Sequence, residues 1–217
     1  MGSGSYIFCE WDSIQNGNRP YQQTLQKAEQ ATVNLCLRDW APKGFNVQRA
    51  LSPAAGDFGR TTILPEMFDG HAPVATPASG VQMAGTWRQL FTIQGNQILI
   101  QGSGASEVIP EDFKVAWVGL AFPNKQQHIT EIKWQIGDRK YGRINIEEMH
   151  VYDTPALIFE EGFLLNEEES FHLYGYVEGP IPTHHDGYVA LHQSIVMLGA
   201  AYFKVVSKVL GNPGAPI

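Results

Sequence analysis

Apolar and polar residues alternate one by one through much of the chain's second half, and a period of two predicts half-buried strands. In the stretch 171–177, Phe171, Leu173, Gly175 and Val177 share one face, with His172, Tyr174 and Tyr176 on the other. Trp87, Gln89, Phe91 and Ile93 alternate in the same way, Gln94-Gly95-Asn96 turns, and Ile98 and Ile100 continue on a second strand. Residues 113–122 are apolar on both faces, as in a central strand. Thr130, Ile132, Trp134 and Ile136 alternate with Glu131, Lys133 and Gln135; Gly137-Asp138 turns; Ile144 and Ile146 then stand against Asn145 and Glu147, predicting a strand over 144–150. A further apolar run from Pro155 ends at the acidic turn Asn166-Glu167-Glu168-Glu169-Ser170, where no core could take the acids, so the turn is expected to face water or a partner. Residues 188–206 predict one long strand, or two divided at Gly199. The total is about eight strands at turn spacings typical of an all-β, antiparallel sandwich. Its core is predicted to take Ile132, Trp134, Ile144, Ile146, Phe171, Leu173 and Val177.

The first 85 residues follow a different pattern. Pro20 and Pro42 bracket a segment in which Leu25, Ala28, Thr32 and Leu35 share a helical face, while Val33, Leu35 and Leu37 alternate as a strand would. A helix is favoured there, or a helix turning into a strand near Ala31. From Pro42 to Gly85, prolines and glycines leave no room for long elements; so long a connection is usually a binding loop, a lid or an arm across a neighbour. The organisation is therefore an irregular N-terminal arm with one helix (1–85), a β-sandwich (86–210) and a short tail (211–217).

Composition narrows the function classes. Apolar residues make up 43% of the 217, enough for a real core, and the charged fraction of 17% is low enough to suggest surface covered by neighbours. No run approaches the roughly 18 apolar residues of a membrane span. Nor is there a basic, apolar secretory start. Cys9 and Cys36 read as buried thiols rather than a disulfide. Charge is uneven: ten acids and no Lys or Arg lie between Ile144 and Phe203, a composition that repels a phosphate backbone and argues against direct nucleic-acid binding by the β domain.

Candidate chemistry is sparse. His184, His185 and Asp186, with His192 and a nearby His172, make the best metal-like cluster. Adjacent histidines diverge on an extended chain, however, and a metal needs three or four converging ligands, so a structural loop is favoured. Glu167, Glu168 and Glu169 could bind Ca²⁺ but fit a solvated turn better. Glu147-Glu148 and Glu160-Glu161 could supply an acid/base pair, and they also suit guarded strand edges. Asp57-Phe58-Gly59 has none of the companion motifs of a kinase. No cofactor, small-molecule substrate or enzymatic activity is expected.

The strands over 129–136 and 144–150, the stretch 162–177 and the closing strand 188–206 together resemble the jelly-roll coat proteins of tailless icosahedral viruses. That resemblance implies an eight-stranded jelly roll and a self-assembling capsid subunit. Its partners would be copies of itself and other virion proteins, and it would be located in a virion assembled in the host cytoplasm. Contacts would join unlike patches, the acids Glu167, Glu168 and Glu169 meeting Lys125, Arg139 and Lys140 of a neighbour. The alternatives are a β-sandwich binding module for a glycan or host surface, and a cupin-like metal-dependent enzyme.

Overall fold

The computed structural model describes residues 6–10, 17–45, 57–63, 68–70, 86–90, 94–123, 128–178 and 192–205. In chain order these form β1 (Tyr6–Cys9), α1 (Arg19–Trp40), β2 (Phe58–Thr61), β3 (Asp69–Gly70), β4 (Thr86–Leu90), β5 (Gly95–Gln101) and β6 (Phe113–Ala121). There follow β7 (Ile129–Ile136), β8 (Arg139–Lys140), β9 (Ile144–Asn145), α2 (Glu147–Val151), β10 (Ala156–Leu165), β11 (Phe171–Val177) and β12 (His192–Lys204). One antiparallel sheet runs β1-β10-β6-β12-β2, with β4 also pairing β12; the other runs β3-β5-β11-β7-β8, with β9 also pairing β7.

The two sheets pack face to face over one aromatic-rich core. Trp117 of the first sheet meets Trp134 and Phe171 of the second edge-on, at centroid separations of 5.6 and 5.4 Å. Phe159 and Phe163 close the same cluster. Such pairs are worth about 0.5–1.5 kcal/mol each beyond the area they bury. All seven residues expected to face the core do so.

Helix α1 covers the outer face of the first sheet, making three layers. It starts where Asn18 accepts a hydrogen bond from the Tyr21 amide, with Pro20 in its first turn, and runs unbroken to Trp40. No strand interrupts it near Ala31. Its buried stripe is Thr24, Ala28, Thr32, Cys36 and Trp40, so the inward position is Cys36 rather than Leu35. Gly162 permits the close approach: a Cβ there would stand 2.8 Å from the methyl of Ala28. The described part of the first 85 residues is thus bound into the fold, with β1 and β2 extending the first sheet and β3 the second.

Three local expectations change. The strand predicted over 144–150 stops at Asn145, whose side-chain oxygen accepts the Glu147 amide and turns the chain into α2. The single closing strand survives past Gly199, but with a register shift there: Gly199 has φ of +149°, and a Cβ would collide with the Ala116 carbonyl. Sequence-adjacent strands also separate. β4 and β5 lie in different sheets, as do β10 and β11, and the turn at 166–170 between the latter pair crosses the sandwich.

Leu173 is fully buried among these side chains. Leu173→Ala is expected to cost about 2–5 kcal/mol in urea denaturation, and unchanged stability would refute the facing of β11.

Candidate functional site

On β6 successive side chains serve different layers. Phe113, Val115 and Trp117 enter the core between the sheets, whereas Ala116 and Val118 face α1. Lys114 has the parity of Ala116 and so projects beneath the last turn of the helix, where its side chain is fully buried. Lys204, at the end of β12, lies beside it with a side-chain exposure of 5%. The two ammonium groups stand 5.4 Å from the centroid of the Trp40 ring, close enough for cation–π attraction.

Acids converge on this pair from three elements. Lys114 Nζ donates to Asp39 Oδ2 at 2.8 Å from the helix, and lies 3.7 Å from Glu167 Oε1 in the turn between β10 and β11. It also touches Oδ1 of Asn166. Lys204 Nζ lies 3.4 Å from Glu167 Oε2 and 3.5 Å from Asp112 Oδ1, and donates to the Glu111 carbonyl. Trp40 Nε1 completes the shell by donating to Glu167 at 3.0 Å. Arg38, followed by Lys114, holds the Asp39 carboxyl well below the usual carboxylate range. Burial pushes the Cys36 thiol up to about 12. Helix C-termini carry partial negative charge, which further favours cations at this position.

Burying charges costs several kcal/mol per ion, and only near-complete pairing offsets it. The cluster meets that demand, and it also holds a dry primary amine against a side-chain amide with carboxylates on either side. Sequence reasoning missed Lys114 altogether. The available signal was a lone lysine inside the otherwise apolar run 113–122.

The acidic turn is consequently not uniformly outward. Glu167 is engaged inside the molecule with a side-chain exposure of 14%, which corrects the expectation that all three acids face water or a partner. Glu169 accepts the Asn166 amide within its own turn, and Glu168 is the exposed member, at φ of +63°. Arg139 and Lys140 are exposed on β8, just beyond the hairpin tip at Gly137, whose amide donates to the Ser170 carbonyl. Acidic turn and basic hairpin therefore adjoin at one end of the sandwich. Lys125, His184 and His185 lie outside the described residues, as does Asp186.

His192 pairs with Leu90 in the first sheet, while His172 belongs to the second, where its Nε2 lies 2.6 Å from Glu107 Oε2. Among the described residues, no group of three or more His, Cys, Asp or Glu is placed to hold a metal ion. Cys9 and Cys36 are both buried and are not joined in a disulfide. Phe58 and Gly59 of the kinase-like triplet are strand residues, with the Phe203 ring seated over Gly59. No helix among the described residues is long and apolar enough to cross a membrane. Comparison with protein families, with curated proteins and with solved structures finds no match to this chain.

Beside the cluster, Tyr202 packs on Phe58, near the ion pair of Arg60 and Glu29. Burial, and then the charge of Glu29, raise its phenol from the ordinary 10.0 to about 12. A group raised on folding contributes stability that is complete below its unfolded pKa and lost as pH climbs through the folded one. Stability should therefore decline between pH 10.0 and about 12, and less steeply in Tyr202→Phe. Urea titrations across that window check this, and equal slopes would remove Tyr202 as the cause.

Proposed function

We propose that this chain is a structural, self-assembling subunit built on a jelly roll, of the kind that forms a virion shell. What supports it is the pairing of the eight strands from β4 onward, counting β8 and β9 as one. The first pairs the last (β4 with β12), the second the seventh (β5 with β11), the third the sixth (β6 with β10) and the fourth the fifth (β7 with β8 and β9). Cross-pairs β6 with β12 and β7 with β11 then join these ribbons into two sheets. A long antiparallel ribbon folded across itself has this connectivity, and that is the jelly roll of capsids, lectins and cupins.

Among those three uses, the interior argues against the cupin. A cupin-type enzyme keeps its ligands and substrate inside the roll. Here that space is filled by Trp117, Trp134, Phe159, Phe163 and Phe171. A solid roll acts through its surface, and the most exposed large apolar residues among those described are Val151 and Tyr152, at 75% and 69%, at the end of α2. Apolar side chains projecting so far suit burial against a neighbour. At the other end, Arg139, Lys140 and Glu168 offer both signs of charge to a second contact.

The test is particle size. Purified full-length chain should form megadalton particles by light scattering and negative stain. Val151→Asp with Tyr152→Ser should raise the concentration needed for assembly about tenfold or more. Glu168→Lys should shift the salt dependence of assembly without loss of fold, since Glu168 has none of the internal contacts of Glu167. A chain that stays monomeric at high concentration across salt and pH overturns the proposal. Assembly indifferent to Glu168→Lys and to ionic strength removes the acidic turn from the interface.

A further inference from the structure

The buried amine of Lys114 and the amide of Asn166 are placed by the sheet itself. β6 and β10 are antiparallel neighbours with Val115 opposite Leu165, so the next pair along the ladder is Lys114 and Asn166. The Nζ touches Oδ1 of Asn166, which leaves the carbonyl carbon one bond beyond the contact. Water is excluded, since the Lys114 side chain has no exposure. The Trp40 ring covers one side, and Asp39 Oδ2 takes a hydrogen bond from Nζ at 2.8 Å.

From this geometry we infer that Lys114 and Asn166 form an intramolecular isopeptide bond, made by the folded chain itself. Nζ of Lys114, after passing a proton to Asp39, attacks Cγ of Asn166. The bond from Cγ to Nδ2 breaks as Nζ gives up a second proton, and Asp39 relays both protons to the departing nitrogen, which leaves as ammonium. A protonated primary amine and a primary amide become one secondary amide and one ammonium ion, a net loss of one ammonia from the chain, with no oxidant, reductant or cofactor needed. Holding the two groups in contact replaces a bimolecular encounter, and effective molarities of about 10⁵–10⁸ M are the scale of that advantage. Burial of the site keeps hydrolysis from competing. Asp39, paired with Arg38, is a weak base, so the neutral amine is visited only rarely, and loss of ammonia to bulk water is what carries the step forward irreversibly. Glu167, 3.7 Å from Nζ and held by Trp40 and Lys204, is a positioning residue that fixes the turn carrying Asn166.

The bond would tie β6 to the turn that crosses between the sheets, and it would form whether or not copies of the chain assemble. Intact mass spectrometry of the denatured full-length protein tests it directly. The expected mass is lower than that of the sequence by one ammonia, and digestion should yield a branched peptide joining Lys114 to Asn166, with no tryptic cleavage after Lys114. Lys114→Arg and Asn166→Ala should each restore the full mass. In freshly refolded protein, Asp39→Asn should slow the loss about a hundredfold or more, the scale of a lost general acid–base. Wild-type protein that is folded by circular dichroism and keeps its full mass after prolonged incubation overturns the inference. So does a mass deficit that persists in Lys114→Arg.

Discussion

Strand β6 is buried along its whole length, and the rest of the molecule is arranged to make that possible. A strand with one apolar face needs one partner layer, whereas one apolar on both faces needs two. The second sheet supplies one and α1 the other, and each takes its own half of the β6 side chains. The alternation slips once, at Val118 and Gly119, where the pairings to both β10 and β12 shift register. Trp117 spans that slip by donating its indole N–H to the Gly119 carbonyl at 2.7 Å. A bulge disrupts the ladder locally, and this side-chain bond spans the disruption. A tryptophan that fills the core thus also bonds to the irregular point of the strand that carries it.

The same parity explains a charge in the interior. Position 114 faces the helix, and the helix ends directly above it, bringing Asp39, Trp40 and the negative end of its dipole. A leucine there would pack more cheaply on general grounds, because buried ion pairs seldom repay desolvation. Lys114 and Lys204 therefore impose a condition: the helix terminus, the start of β6, the end of β12 and the β10–β11 turn must all be in place together. Misplacing any one leaves a dry charge without its partner. Part of the acid excess between Ile144 and Phe203 is accounted for here, since Glu167 answers lysines from both flanking segments of the chain.

Strand existence and facing were legible in the sequence because both depend on a period of two within a few residues. Ile132, Trp134, Leu173 and Val177 all lie where alternation puts them. Pairing was not legible, since nothing local says that β4 joins β12 about a hundred positions away rather than its neighbour β5. The stretch after Ile144 looked extended, but the Asn145 side chain accepts the Glu147 amide two residues on and the chain turns into α2, a local bond that a period of two does not reveal. The lysine cluster escaped for a further reason. Its members come from four separated segments, and the charged ones other than Lys114 each resemble an ordinary surface charge.

Surface geometry limits how copies could meet. Among the described residues, the strands at sheet edges are short: four residues in β1 and β2, five in β4, and two each in β3, β8 and β9. The inner strands run from seven to thirteen. Long flat edges invite open-ended pairing with other chains, and short ones discourage it. Among the described residues, a sandwich finished in this way has few backbone groups to offer along any one edge, so any contact between copies there would fall to side chains and turns. Such contacts have a defined angle set by shape and charge, which a continuing β-ladder lacks, and a defined angle is what allows a shell to close instead of growing as a fibre.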